Sequence, residues 1–201
     1  MNKLFLIAAS AAALAAAGTV SAQQQPAQAP LNHGPAITGV CIYNGPALMQ
    51  TSTAGQAVNT RLQQLMQQVE AELQPEANAI DTELRTLQSQ QASLPADQFN
   101  QRRQALGQRA QTFETLRQTR LAELQYTEQS QRLRIAQTVN PILTQVYQAR
   151  GCSLLLDASG ILAANPAMDV TPQVIQQLNT TLPTVTFDRM PLPQQQQPAQ
   201  S

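Results

Sequence analysis

Residues 51–93 read TSTAGQAVNTRLQQLMQQVEAELQPEANAIDTELRTLQSQQAS. Their apolar members Val58, Leu62, Leu65, Val69, Leu73, Ala77, Ile80, Leu84 and Leu87 recur at spacings of 4, 3, 4, 4, 4, 3, 4 and 3. That period places them on one stripe of a long α-helix. The extra spacing of four around Leu73 is a stutter, which locally unwinds a coiled coil, and Pro75 beside it removes one helical hydrogen bond. Leu73 and Pro75 are therefore the candidate hinge. Leu94-Pro95-Ala96-Asp97 ends the pattern, and Asp97 is expected to cap a second helix. That helix carries Phe99, Leu106 and Phe113 at intervals of seven, then Leu116, Leu121, Leu124, Ile135, Val139, Ile142 and Val146, as far as the Arg150-Gly151 stop, with a bend expected at Pro141.

Helices of about 40 to 50 residues run roughly 60 to 80 Å and need a partner along their length. The charges point to each other as the partner. The first helix sets Arg61 and Arg85 against Glu70, Glu72, Glu76, Asp81 and Glu83, whereas the second is Arg-rich. Folding back at Leu94 to Ala96 is expected to bring Arg61 to Glu128, Glu70 to Arg120, Glu72 to Arg117 and Asp81 to Arg109, with Glu76 facing Glu114. Exposed pairs are worth only about 0.2 to 1 kcal/mol each, so they select an antiparallel register more than they stabilise it.

Outward from the helices the period changes. Ile37 to Tyr43 (ITGVCIY) reads as a buried strand bounded by Pro35 and Asn44-Gly45-Pro46. Cys152 to Leu156 reads as a second strand, Asp157 to Gly160 as a turn and Ile161 to Ala164 as a third strand. Thr171 is expected to cap a helix over Gln173 to Asn179 with Pro172 at its first position, and Leu182 to Phe187 to form an edge strand. The fold class is α+β: a small mixed β-sheet body with a long antiparallel helical hairpin inserted between its strands. Residues 37–50 and 151–188 form the body and 51–150 the coiled-coil arm. The Gln/Ala/Pro segments 23–36 and 189–201 read as disordered leader and tail.

Met1-Asn2-Lys3, the apolar run Leu4 to Ala17 and the small residues up to Ala22 make a secretory signal over residues 1–22, cleaved between Ala22 and Gln23. The run is shorter than a spanning helix needs, so export to the periplasm is expected. Lys3, the only lysine, leaves with the signal, and 11 Arg then face 12 Asp and Glu, close to neutrality.

His33 is the only histidine and lies in the leader, so no His-based triad or metal cluster can be assembled. No phosphate-binding Gly-rich loop occurs, and Ser159 stands in a turn without a base. An enzyme, a cofactor and a metal are therefore not expected. Without basic excess or an aromatic platform, neither is nucleic-acid binding. Cys41 and Cys152, at the two ends that the hairpin brings together, leave two readings open: a disulfide across the body, or two buried reduced thiols.

The segment SLLLDASGILAANPAMDVTPQVIQQLN, Ser153 to Asn179, resembles the closing signature of the OmpH/Skp family of periplasmic chaperones, and Ile37 to Tyr43 followed by the hairpin resembles its opening. The resemblance covers about Ile37 to Asn179. It implies an ATP-independent holding chaperone, a homotrimer whose β bodies pack together while the hairpins project around unfolded outer-membrane β-barrel proteins and prevent their aggregation. Members are commonly lysine-rich and basic. This near-neutral chain departs from that, which leaves contact with lipopolysaccharide or membrane open and predicts weak salt dependence. The alternative is a structural coiled-coil scaffold or spacer of the envelope. A spacer needs a continuous, well-filled seam, whereas an arm tolerates a sparse one.

Overall fold

The computed structural model describes residues 32–193. The cleavage site at Ala22 and Gln23, the signal and the end of the tail lie outside the described residues. The elements are strand β1 (Val40–Tyr43), helices α1 (Gly45–Thr51), α2 (Thr53–Ser89) and α3 (Ala96–Ala149), strand β2 (Leu154–Asp157) and helix α4 (Thr171–Thr181), with two short 3₁₀ turns between β2 and α4.

The strands pair in parallel, with Cys41 beside Leu155 and Ile42 beside Leu156. A single further bridge joins Ile42 to Asp169. The sheet is smaller than expected. β1 starts at Val40 rather than Ile37, because Gly39 turns the chain at φ 78° and offers its carbonyl to the Ser153 and Leu154 amides instead of extending the ladder. β2 starts at Leu154 and is mostly exposed, not buried. Ile161 to Ala164 form no strand. Among the described residues no strand pairs with them, and Leu162 is fully exposed. Leu182 to Phe187 form no edge strand either, but pack on the long helices.

Several helix ends differ from expectation. Asn44 caps α1 through a side-chain bond from the Ala47 N–H, with Pro46 in the first turn, so the expected strand stop opens a helix. Ser52 closes α1 with its backbone and opens α2 with its buried hydroxyl, which accepts from the Gly55 N–H at 3.1 Å. A β-carbon on Gly55 would collide with the Met49 carbonyl, so only glycine allows α1 and α2 to approach this closely. Asp97 is not the cap of α3. Pro95 holds that position and makes no side-chain bond, leaving Asp97 in the first turn, where its charge suits the helix dipole. Thr171 is likewise inside α4, and its hydroxyl accepts from the Asn44 N–H at 2.9 Å instead of capping.

α2 is continuous through Pro75, and α3 through Pro141. The two pack side by side, and residue numbers fall along one as they rise along the other. Val58 shares a core with Ile135 and Val139, Val69 lies in a second cluster with Leu124, and Glu72 meets Arg120. The expected ion pairs are largely replaced. Glu72 pairs with Arg120 rather than Arg117, and Arg109 binds Glu76 and Glu83 rather than Asp81. Arg117, Arg132 and Arg85 turn to Glu114, Glu128 and Asp81 of their own helices. Pairs three or four residues apart within a helix are worth about as much as pairs across it, so local geometry decides between them.

The main core lies where the sheet, α1, α4 and the roots of α2 and α3 meet, around Leu48, Val58, Ile135, Val146, Val174 and Leu178. Cys41 and Cys152 belong to it, joined as a disulfide with their Cα atoms 5.8 Å apart across a sequence separation of 111. In the chain-entropy picture, closing so long a loop restricts the unfolded chain by an amount worth about 4 kcal/mol. Replacing both cysteines by serine is expected to lower the urea midpoint of unfolding by several tenths of a molar or more, with the helix content of the folded state unchanged. An unchanged midpoint would remove the bond from the account of stability.

Candidate functional site

The chain carries its candidate working surfaces on the long helices and on the exposed side of the small sheet. Helix packing weakens with distance from the sheet. Near the root, Val58, Leu65, Val69 and Leu73 on α2 are buried against Leu124, Ile135 and Val139 on α3. Leu73 is the last of this series, and beyond it only Leu87 and Leu106 are buried in the distal parts of the two helices. Ile80 is half-buried and Leu84 exposed, although the stripe assigned both to the seam. Pro75 is exposed, two residues beyond Leu73.

The distal gap is bridged by charge. Arg109 of α3 reaches Glu76 with two nitrogens, at 2.6 and 2.8 Å, and Glu83 at 3.0 Å. That hydrogen bonding holds the Glu76 carboxyl below its ordinary value of 4.5. The Glu114 carboxyl, held by Arg117 and then Gln118, is lowered further, to about 2, but this contact lies within α3 and does not join the helices.

Sequence reasoning read Leu182 to Phe187 after α4 as an edge strand and did not find its partners. Pro183 follows the helix, and residues 184–190 then run back along the root of α2 and α3. Val185 is buried in the main core, and Phe187 packs against both apolar clusters. The Arg61 Nε donates to the Phe187 carbonyl at 2.9 Å, and its Nη2 meets Asp188 at 2.7 Å. Arg189, expected in a disordered tail, pairs instead with Glu72 and Glu123. The Met190 N–H donates to the buried Thr127 hydroxyl at 2.8 Å. Bonds from Arg189 and then Arg120 hold the Glu72 carboxyl below its ordinary 4.5, so this one carboxylate ties together α2, α3 and the returning segment. The signal in the sequence is the alternation Thr184-Val185-Thr186-Phe187. It marks an extended chain, but one whose partners are helices rather than a strand.

Two apolar surfaces remain open. Met66 and Leu121 are exposed on the flank of α2 and α3, where with Leu62 and Leu124 they line a cleft of about 220 Å³. On the sheet Leu154 and Leu156 are exposed, and so are Ile37 and Leu162 in the segments outside its strands, apolar side chains that the single chain leaves uncovered. Among the described residues no group of three or more His, Cys, Asp or Glu is placed to hold a metal ion. No described helix is long and apolar enough to cross a membrane.

A small sheet-and-helix body carrying two long, partly seamed helices defines a protein that presents extended surfaces rather than an enclosed pocket. Residues 39–178 match the family described as outer membrane protein (OmpH-like), and the chain belongs to that family. It is similar to the crystal structure of a Caulobacter crescentus CB15 protein provisionally described as an OmpH-like outer membrane chaperone, with 39% identity and a TM-score of 0.74, over 84% of this chain and 100% of that one. No curated protein matches the chain.

The lowered carboxyls set a pH dependence. A carboxylate favoured in the folded state adds stability above its unfolded value, near 4.5 for Glu72, and loses it as the pH falls through the lower folded value. The wild-type melting temperature is therefore expected to exceed that of Glu72→Gln at pH 7, with the gap closing as the pH falls below 4.5. A gap that persists unchanged at pH 3 would show that the Glu72 charge contributes nothing.

Proposed function

We propose that this protein is an ATP-independent holding chaperone of the periplasm that binds unfolded outer-membrane β-barrel proteins and prevents their aggregation. The observation that carries the reading is the thinning of the packing along α2 and α3 beyond Leu73, where only Leu87 and Leu106 are buried, in a member of the OmpH-like family. An envelope spacer requires a filled seam to stay straight under load. A client without fixed shape instead requires arms that adapt, with many weak apolar contacts and few obligatory ones. In this reading α2 and α3 form an antiparallel hairpin inserted between β1 and β2, which acts as the arm. The export signal at residues 1–22 delivers the chain to the periplasm, and three copies assemble through the uncovered sheet surface around Leu154, Leu156 and Leu162. A sheet of two short strands leaves edges that a homotrimer would cover.

Near-neutral charge makes apolar contact the main attraction, so binding should depend little on salt. The test dilutes a urea-unfolded β-barrel protein into buffer with and without the purified protein, following turbidity and the subunit number by light scattering. Suppressed turbidity with three subunits per particle, at low and moderate salt alike, is the expected result. Equal aggregation with and without the protein would favour the scaffold reading.

Leu73 and Pro75 act as the hinge of the arm in this proposal. Proline withholds one amide from the helix ladder at the level where the apolar seam thins, so the two weak points coincide. Pro75→Ala should slow hydrogen exchange of neighbouring α2 amides by about fivefold or more, the gain from one restored helical bond. Unchanged exchange would place flexibility elsewhere.

A further inference from the structure

Residues 184–190 are held at the root of α2 and α3 as an extended chain with a period of two. Val185 is buried, Thr186 exposed, Phe187 half-buried and Asp188 exposed, its carboxylate lying in solvent. Two of the bonds that hold the segment go to its main chain: Arg61 donates to the Phe187 carbonyl at 2.9 Å, and the Met190 N–H donates to Thr127 at 2.8 Å. Main-chain bonds of this kind are indifferent to side-chain identity, and the groove takes apolar groups at Val185 and Phe187 and then a cation, Arg189, on Glu72 and Glu123. Strands of membrane barrels have the same period of two, apolar and polar residues alternating along an extended chain.

Gln131 adds an independent observation. It is 7% exposed at the Met190 end of the groove, its Oε1 has no hydrogen-bond partner, and its Nε2 lies 3.9 Å from the Met190 sulfur. The next residue is Pro191, which has no N–H to give. An incoming chain with any other residue there brings one more donor than the native segment does.

We propose that this groove, formed by Arg61, Thr127, Gln131 and the apolar cluster of Leu65, Val69 and Leu124, is a binding site for extended, alternating apolar–polar segments of unfolded barrel proteins, and that residues 184–190 of the same chain occupy it until such a segment displaces them. The ligand class rests on the chaperone reading above. The native segment is favoured by being tethered, while its outer contact is weak: the Asp188 side chain paired with Arg61 is 91% exposed. Displacement therefore requires a ligand, and an ill-matched chain leaves the groove closed.

The full chain contains no tryptophan, so Phe187→Trp places a single reporter in the groove. The probe is a Trp-free peptide of about ten residues, one membrane strand in length, with strictly alternating apolar and polar positions. Saturable red-shifted emission with this peptide, and none with a block arrangement of the same composition, is expected. As a second readout, labelled peptide should bind Asp188→Ala about two- to fivefold more tightly than wild type, the ratio set by one exposed ion pair. Equal affinity for both chains, or bound peptide without an emission change, would overturn the proposal. So would a red shift produced by raising protein concentration alone, which would assign the groove to a second copy's segment. If wild type still suppresses barrel-protein aggregation in those cases, the chaperone reading stands without this site; if it does not, that reading fails too.

Discussion

The structure depends on the closure of its root. β1 and β2 lie side by side although two long helices separate them in the chain, and the Cys41–Cys152 bond joins the same two ends. Around this closure the Gly39 carbonyl takes two amides from the start of the second strand, the Ile42 carbonyl takes the Val170 amide, and Thr171 takes the Asn44 amide. Each bond links a residue before the long helices to one after them. Without that set, α2 and α3 would have no fixed origin, since two parallel strands of four residues hold little alone.

From the root outward, one kind of interaction gives way to another. Burial of aliphatic side chains dominates as far as Leu73, with each buried Leu, Val or Ile worth about 1.5 to 3 kcal/mol. Arginine–carboxylate contacts dominate beyond it, and exposed pairs of that sort are worth about 0.2 to 1 kcal/mol. The returning segment reinforces the root alone, through Val185 and Phe187 in the apolar clusters and Arg189 on Glu72 and Glu123. Rigidity is thereby concentrated at one end, and the proposed client-holding arm is the part the sequence leaves loosely joined.

Much of this was legible in the sequence because a period of 3.6 residues is a strong signal over long stretches. The stripes from Val58 to Leu73 and from Ile135 to Val146 reappear as largely buried residues. The pairing of individual charges was not legible, since arginine reaches several carboxylates of similar energy and Arg117 and Arg132 pair with neighbours on their own helix. The short strands were over-read. Ile161 to Ala164 has the composition of a strand, but a strand needs a neighbour, and sequence does not say whether one is present. The Thr184–Met190 segment shows the same limit from the other side: its alternation was visible, yet its partners are side chains of Arg61 and Thr127 rather than a strand. Asn44-Gly45-Pro46 misled because a cap followed by proline marks the start of a helix as well as the end of a strand.

The most direct measurement of the central claim is native-state hydrogen exchange resolved along both long helices. A helix pair rooted in apolar packing and loosely joined beyond Leu73 should show amides near Val58, Val69 and Ile135 exchanging only with global unfolding, while those between Pro75 and Leu106 exchange faster by orders of magnitude through local opening. Uniform protection from root to tip would contradict the account and describe a rigid spacer.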